Sequence, residues 1–211
     1  MDRRLQPDVL APDLDVIFCG LNPASSAVSS GYSFSHPSNR FWAVLHLAGF
    51  TDKRLRPENQ RDLLKYRCGM TAVVQRPTRQ AIEVSAEEFR RARPDFEAKM
   101  FEYAPRVIAF LGKRAYSLMS RQAMVVFGPQ PRSFAGTLAW VLPNPSGLNR
   151  RFTIDALESS YRTLRSVMAP VRRGEIGMPA AKPNVGAEDA QDRGGSVLLC
   201  RAAGTGGPCS R

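Results

Sequence analysis

The chain has 211 residues, with 30 Lys/Arg against 19 Asp/Glu for a net charge of +11, and 43% of its residues are apolar. That length suffices for one domain with a buried core, and no run of about 18 apolar residues is present to cross a membrane. Four cysteines, Cys19, Cys68, Cys200 and Cys209, form no C-x-x-C pair and have no histidine cluster beside them, which argues against a zinc or iron–sulfur site.

The opening residues, MDRRLQPDVLAPDLD, hold no continuous apolar stretch of the secretory kind, so a cytoplasmic location is expected. Asp15–Gly20 reads as the first buried strand. About a dozen small residues follow before Ser38 and Asn39, which can cap a helix whose Phe41, Val44, Leu45 and Ala48 share one face. Pro57 and Glu58 open a second helical segment. The second strand is expected over Met70–Val74. Ser85 and Glu88 then have capping-box spacing, and Pro94 suggests a break with a new helical start at Asp95. Arg106–Leu111 reads as the third strand, KRAYSLMSRQ as a helix and Ala139–Leu142 as the fourth strand. Ile154, Leu157, Tyr161, Leu164 and Met168 mark a closing helix by their 3/4 spacing.

From Val171 onward the sequence lacks aromatic residues and a periodic apolar face, and Gly, Ala and Pro are frequent. The expected organisation is therefore a folded domain over 1–170 and a disordered low-complexity tail over 171–211. The tail holds six basic and four acidic residues, which leaves 24 against 15, or +9, in the domain. The basicity belongs to the folded part, and it favours a polyanionic partner.

Strands that alternate with helices predict an α/β fold: a short, mainly parallel four-stranded sheet with helices on both faces. Ligands in such folds bind beyond the carboxyl ends of the strands. Two loops stand there, each opening with Asn-Pro: Asn22-Pro23 after the first strand and Asn144-Pro145 after the fourth. Proline fixes the backbone, while the carboxamide can donate and accept at once. If a helix restarts at Asp95, its carboxylate also sits at the ligand end, as a candidate catalytic base. Lys113, Arg114, Arg150 and Arg151 follow strands and suit phosphate contact. His36 and His46 read as structural.

The stretches FCGLNPASSA, FSHPSNRFWAVLHLAGF, YRCGMT, RPT and WVLPNPSGLNR closely resemble the mismatch-specific uracil-DNA glycosylases of bacteria, the Mug group, which are similar to thymine-DNA glycosylase. The resemblance runs from about residue 10 to about residue 168, in order. It implies the three-layer fold of that superfamily and hydrolysis of the N-glycosidic bond of uracil in G·U mismatches. It also implies no metal or organic cofactor; the expected partner is double-stranded DNA with G·U mismatches, and a monomer is expected. By the same resemblance, Asn22 positions the attacking water, Leu21 offers backbone contacts to the base, Phe34 stacks on it and Asn144 faces the pocket. Gly147 and Leu148 form a wedge that fills the emptied stack, backbone at Gly147 and Asn149 reads the widowed guanine, and Arg150 holds the flanking phosphate or the loop itself. Ala24 replaces a glycine common in the group, Ala72 stands where a related sequence has lysine, and ARPDFE looks unlike the group. Two other readings stay open from sequence: a broad-range uracil glycosylase acting also on single strands or A·U pairs, and a non-catalytic binder of mismatched or abasic DNA.

Overall fold

The computed structural model describes residues 8–168. The expected tail 171–211, with Cys200 and Cys209, lies outside the described residues.

Five strands form one sheet: β1 (Val16–Gly20), β2 (Cys68–Ala72), β3 (Val107–Leu111), β4 (Gly128–Pro129) and β5 (Leu138–Leu142), in the order β2-β1-β3-β5-β4. All neighbours are parallel except β4, which runs antiparallel to β5. The expected four-stranded sheet is thus corrected to five. The extra strand is two residues, Gly-Pro, and carries no alternating pattern for sequence to betray. The second strand also lies two residues earlier than expected, because Val73 and Val74 continue past it, their N–H groups donating to Gly20 and Leu21 carbonyls at 3.0 Å.

Side-chain alternation splits each strand between two cores. Val16 and Phe18 of β1, Val107 and Ala109 of β3, and Trp140 and Leu142 of β5 face one side. There they meet Phe41, Trp42 and Leu45 of α2 (Phe41–Leu47) and Leu157, Tyr161 and Leu164 of a long C-terminal helix, Ile154–Met168. Phe18 anchors this core through edge contacts to Phe41 and Phe50 at 5.6 and 5.1 Å between ring centres. Ile17, Cys19, Ile108, Phe110 and Val141 face the other side, against α3 (Ala86–Tyr103) and α4 (Lys113–Ser120). We number the C-terminal helix α5, and α1 is the short helix Ser25–Ser30. SSAVSS has no apolar face, which is why sequence reads it as a linker.

The second helical segment, Pro57–Tyr66, is 3-10 rather than α. The capping box is present, with the Glu88 N–H donating to Ser85 Oγ at 3.2 Å and the Ser85 N–H to Glu88 Oε2 at 2.9 Å. The helix it opens does not break at Pro94 but runs on to Tyr103. An internal proline costs about 3 kcal/mol; burial of Phe89, Phe96 and Met100 against the sheet offsets that cost. No helix among the described residues is long and apolar enough to cross a membrane.

Candidate active site

The carboxyl ends of β1, β2, β3 and β5 open on a cleft of about 660 Å³. Asn22 enters it directly after β1, and its orientation is fixed. Its Nδ2 donates to the Arg76 carbonyl at 2.9 Å and to Thr78 Oγ1 at 2.8 Å. Thr78 spends its own proton on the Gln80 carbonyl at 2.8 Å, so its oxygen is an acceptor toward Asn22. Both amide protons are therefore held by protein, and the pole left for the cleft is the acceptor Oδ1. The segment that supplies these partners is itself laced to the strand exit: the Thr78 N–H donates to the Pro23 carbonyl at 3.1 Å, and the Ser25 N–H to the Thr78 carbonyl at 3.0 Å.

Leu21 is buried in the second core, and its carbonyl accepts from Val74, so what it offers the cleft comes from its backbone. Phe34 forms a wall. Its ring stacks on Phe41 with centres 4.0 Å apart, and it sits in the left-handed region at φ 55°. A non-glycine residue there stores about 1 kcal/mol or more of strain, which surrounding structure must hold. Its predecessor does so: the Ser33 N–H donates to Gln60 Oε1 at 2.9 Å, and Trp42 Nε1 donates to the Ser33 carbonyl at 3.2 Å. His36 also lines the cleft. The Ser38 N–H donates to its Nδ1 at 3.2 Å, which makes Nδ1 the acceptor of the ring. His46 lies away from the cleft, its Nδ1 donating to the Thr51 carbonyl at 3.2 Å. Neither Ser38 nor Asn39 is the N-cap of α2; that position is Arg40, which has no side-chain cap, and Asn39 Oδ1 accepts from the Phe41 N–H at 3.0 Å from one residue further out.

The opposite wall is the loop after β5. Asn144 lines the cleft, and its Oδ1 accepts from the Ser146 N–H at 2.9 Å, so the pole not engaged by the loop is the donor Nδ2. Asn22 and Asn144 thus differ in the pole they keep unengaged, an acceptor in the first and a donor in the second. Gly147 packs so tightly on Ser38 that an added Cβ would overlap the serine's Oγ, Cβ and carbonyl oxygen. Leu148 projects at the tip with 78% of its surface exposed. Asn149 Nδ2 closes the turn on the Asn144 carbonyl at 2.9 Å, and Arg150 is exposed just outside.

Arg40, which sequence reasoning passed over inside NRFW, organises this loop. Its Nη2 donates to the Ser146 and Asn149 carbonyls at 2.9 Å each, Nη1 to that of Phe152, and its N–H to that of Pro145 at 3.0 Å. The loop-holding role expected of Arg150 falls to Arg40. Thr78 was also missed as a functional residue, although it stands in the RPT motif.

Asp95 is the correction among the site residues. It lies within α3, exposed, and it is not among the residues lining the cleft. The helical start that would have aimed it at the ligand does not exist. A different carboxylate reaches the cleft: Asp8, placed by the antiparallel bridge of Val9 to Met70. Its Oδ1 accepts from Thr71 Oγ1 at 2.6 Å, and its Oδ2 pairs with Lys99 of α3 at 2.5 Å. Ala72 beside it leaves space on the cleft floor, edged by Gln75, whose Nε2 donates to the Ala72 carbonyl at 3.1 Å.

Burial raises the thiols, Cys68 to about 12 and Cys19 well above its ordinary value, so neither serves as a nucleophile near neutral pH. Among the described residues no His, Cys, Asp or Glu cluster is arranged to hold a metal ion.

Fold and cleft define the class first: a three-layer α/β protein with its ligand site across the strand ends. The sequence matches the family model for the uracil DNA glycosylase superfamily over residues 7–165, and the chain belongs to that superfamily. It is also similar to a solution NMR structure from Methanosarcina acetivorans, described as that of a candidate uracil DNA glycosylase. The two share 25% identity with a TM-score of 0.54, covering 77% of this chain and 98% of the other.

Proposed function

We propose that this protein extrudes uracil from G·U mismatches in double-stranded DNA and hydrolyses its N-glycosidic bond without a lyase step. One observation carries the reading: the Asn22 carboxamide is clamped with its acceptor toward the cleft that Phe34 walls. That acceptor orients a water at C1′. As the water oxygen bonds to C1′, the C1′–N1 bond breaks and its electron pair leaves on the base, while the water proton passes to solvent. An amide cannot take that proton, so the gain comes from placement and from stabilising the departing anion. Asn144 Nδ2 is the donor suited to the charge on that anion, and Phe34 offers a stacking face. A mismatched base is the cheapest to extrude, and Leu148 suits the gap it leaves. A lyase step needs an amine at C1′, and no lysine is among the described residues that line the cleft.

Ala72 lines the cleft where a related sequence carries lysine, and the room this leaves favours a second reading in which thymine or other enlarged pyrimidines are also accepted. One assay decides both. Labelled duplexes carrying G·U, A·U or G·T, and a uracil-bearing single strand, are incubated in chelator, then treated with alkali to cut abasic sites. Scission at uracil opposite guanine supports the reading, and scission at G·T supports the wider range. Binding without scission in every substrate makes the protein a mismatch or abasic-site binder.

A further inference from the structure

We infer that Lys113, Met124, Val126 and Phe127 form a second DNA contact that takes the strand opposite the extruded base; the inference rests on the glycosylase reading. Met124, Val126 and Phe127 are 89%, 64% and 38% exposed, an unusual run of large apolar side chains at a surface. The segment is nonetheless fixed. Buried Gln130 donates through Nε2 to the Val126 and Gly128 carbonyls at 2.9 Å each, and Phe127 meets Phe152 edge-on at 5.4 Å. Lys113 Nζ lies 4.7 Å above the Phe127 ring.

The topology says which strand this surface faces. Gly128 pairs with Val141 near the end of β5, so Phe127 stands at the carboxyl edge of the sheet, the edge on which the cleft opens. Across the order β2-β1-β3-β5-β4, the cleft runs over the ends of β2, β1 and β3 to the loop after β5, where Leu148 stands on its rim, and the apolar segment precedes β4. Cleft, wedge and apolar surface therefore succeed one another along one edge. With the extruded base in the cleft and Leu148 in the stack, the partner strand lies on the far side of the wedge, over Val126 and Phe127.

Charge fits the same partner. Lys113, Arg150 and Arg151 are exposed, and none takes part in an ion pair among the described residues. Cations without carboxylate partners around an apolar strip match the phosphates and the apolar sugar faces of a nucleic-acid strand.

The test is fluorescence anisotropy of the full chain on a duplex with a tetrahydrofuran abasic analogue opposite guanine, and on the analogue strand alone. Met124→Ser with Val126→Ser weakens duplex binding about tenfold and leaves single-strand binding unchanged. Lys113→Gln lowers the salt slope of duplex binding by about one, again with no change on the single strand. Equal weakening on both forms, or on neither, overturns the inference. Uracil release is measured separately on the wild type: its absence would sink the glycosylase reading, while the contrast between duplex and single strand still decides the surface.

Discussion

Thr78 Oγ1 accepts a hydrogen bond from Asn22 Nδ2 at 2.8 Å, across 56 residues of sequence. Because the same hydroxyl donates to the Gln80 carbonyl, it fixes which end of the amide faces the cleft. Thr78→Val removes that constraint while keeping the shape. Single-turnover release of uracil should fall by about tenfold to a hundredfold, as expected for a misplaced reactant, with duplex affinity little changed. Thr78→Ser should retain most of the rate. Asn22→Ala should lose nearly all of it; wild-type rates in that variant would remove Asn22 from the chemistry.

Leu148 is exposed, so Leu148→Ala should leave the melting temperature within a degree or two of the wild type. The effect belongs to the duplex: release from G·U should slow by at least about tenfold, and release from single-stranded uracil should hardly move, since no stack there needs filling. An equal loss on both substrates would assign Leu148 to the pocket instead.

Arg40→Lys keeps the charge but loses the fork that reaches carbonyls of Ser146, Asn149 and Phe152 together. Hydrogen bonds from a charged donor contribute about 1.5–3 kcal/mol each when both groups are shielded, so thermal unfolding should shift down measurably. Duplex release should fall with it, through displacement of Gly147 and Leu148.

Much of the fold was legible in sequence, because apolar alternation and helical spacing report burial directly. Three strands appear within a residue of their expected starts, and the capping box at Ser85 is where its spacing placed it. Pro94 misled because a local rule was read without the tertiary packing that overrides it, and Asp95 went astray with it. Arg40, Thr78 and Asp8 were missed for another reason: each acts on a distant partner, Ser146, Asn22 and Thr71 at separations of 106, 56 and 63 residues, and no local pattern announces such contacts. Asp95→Asn should accordingly leave base release unchanged in a single-turnover assay, and a large loss would return that carboxylate to the mechanism.

Glu88 ties acid sensitivity to the site. The Arg76 guanidinium, with help from the Ser85 N–H, holds its carboxyl down to about 2. A depressed folded value means that the contribution is complete above the usual carboxylate range and is lost as pH falls from about 4.5 toward 2. The carbonyl of that same Arg76 holds Asn22. Glu88→Gln should lower base release at neutral pH modestly and flatten the acid side of a thermal-stability profile between about pH 4.5 and 2. An unchanged profile would show that the Arg76 pair does no such work.

Phe34 stacks on Phe41, and Phe41 meets Phe18 at the centre of the first core. The wall that faces the cleft is thus the last member of a row of rings rooted in the sheet. Trimming Phe41 would reshape recognition as surely as it loosens the fold, so drift in the interior of this protein would surface first as a change in which bases it accepts.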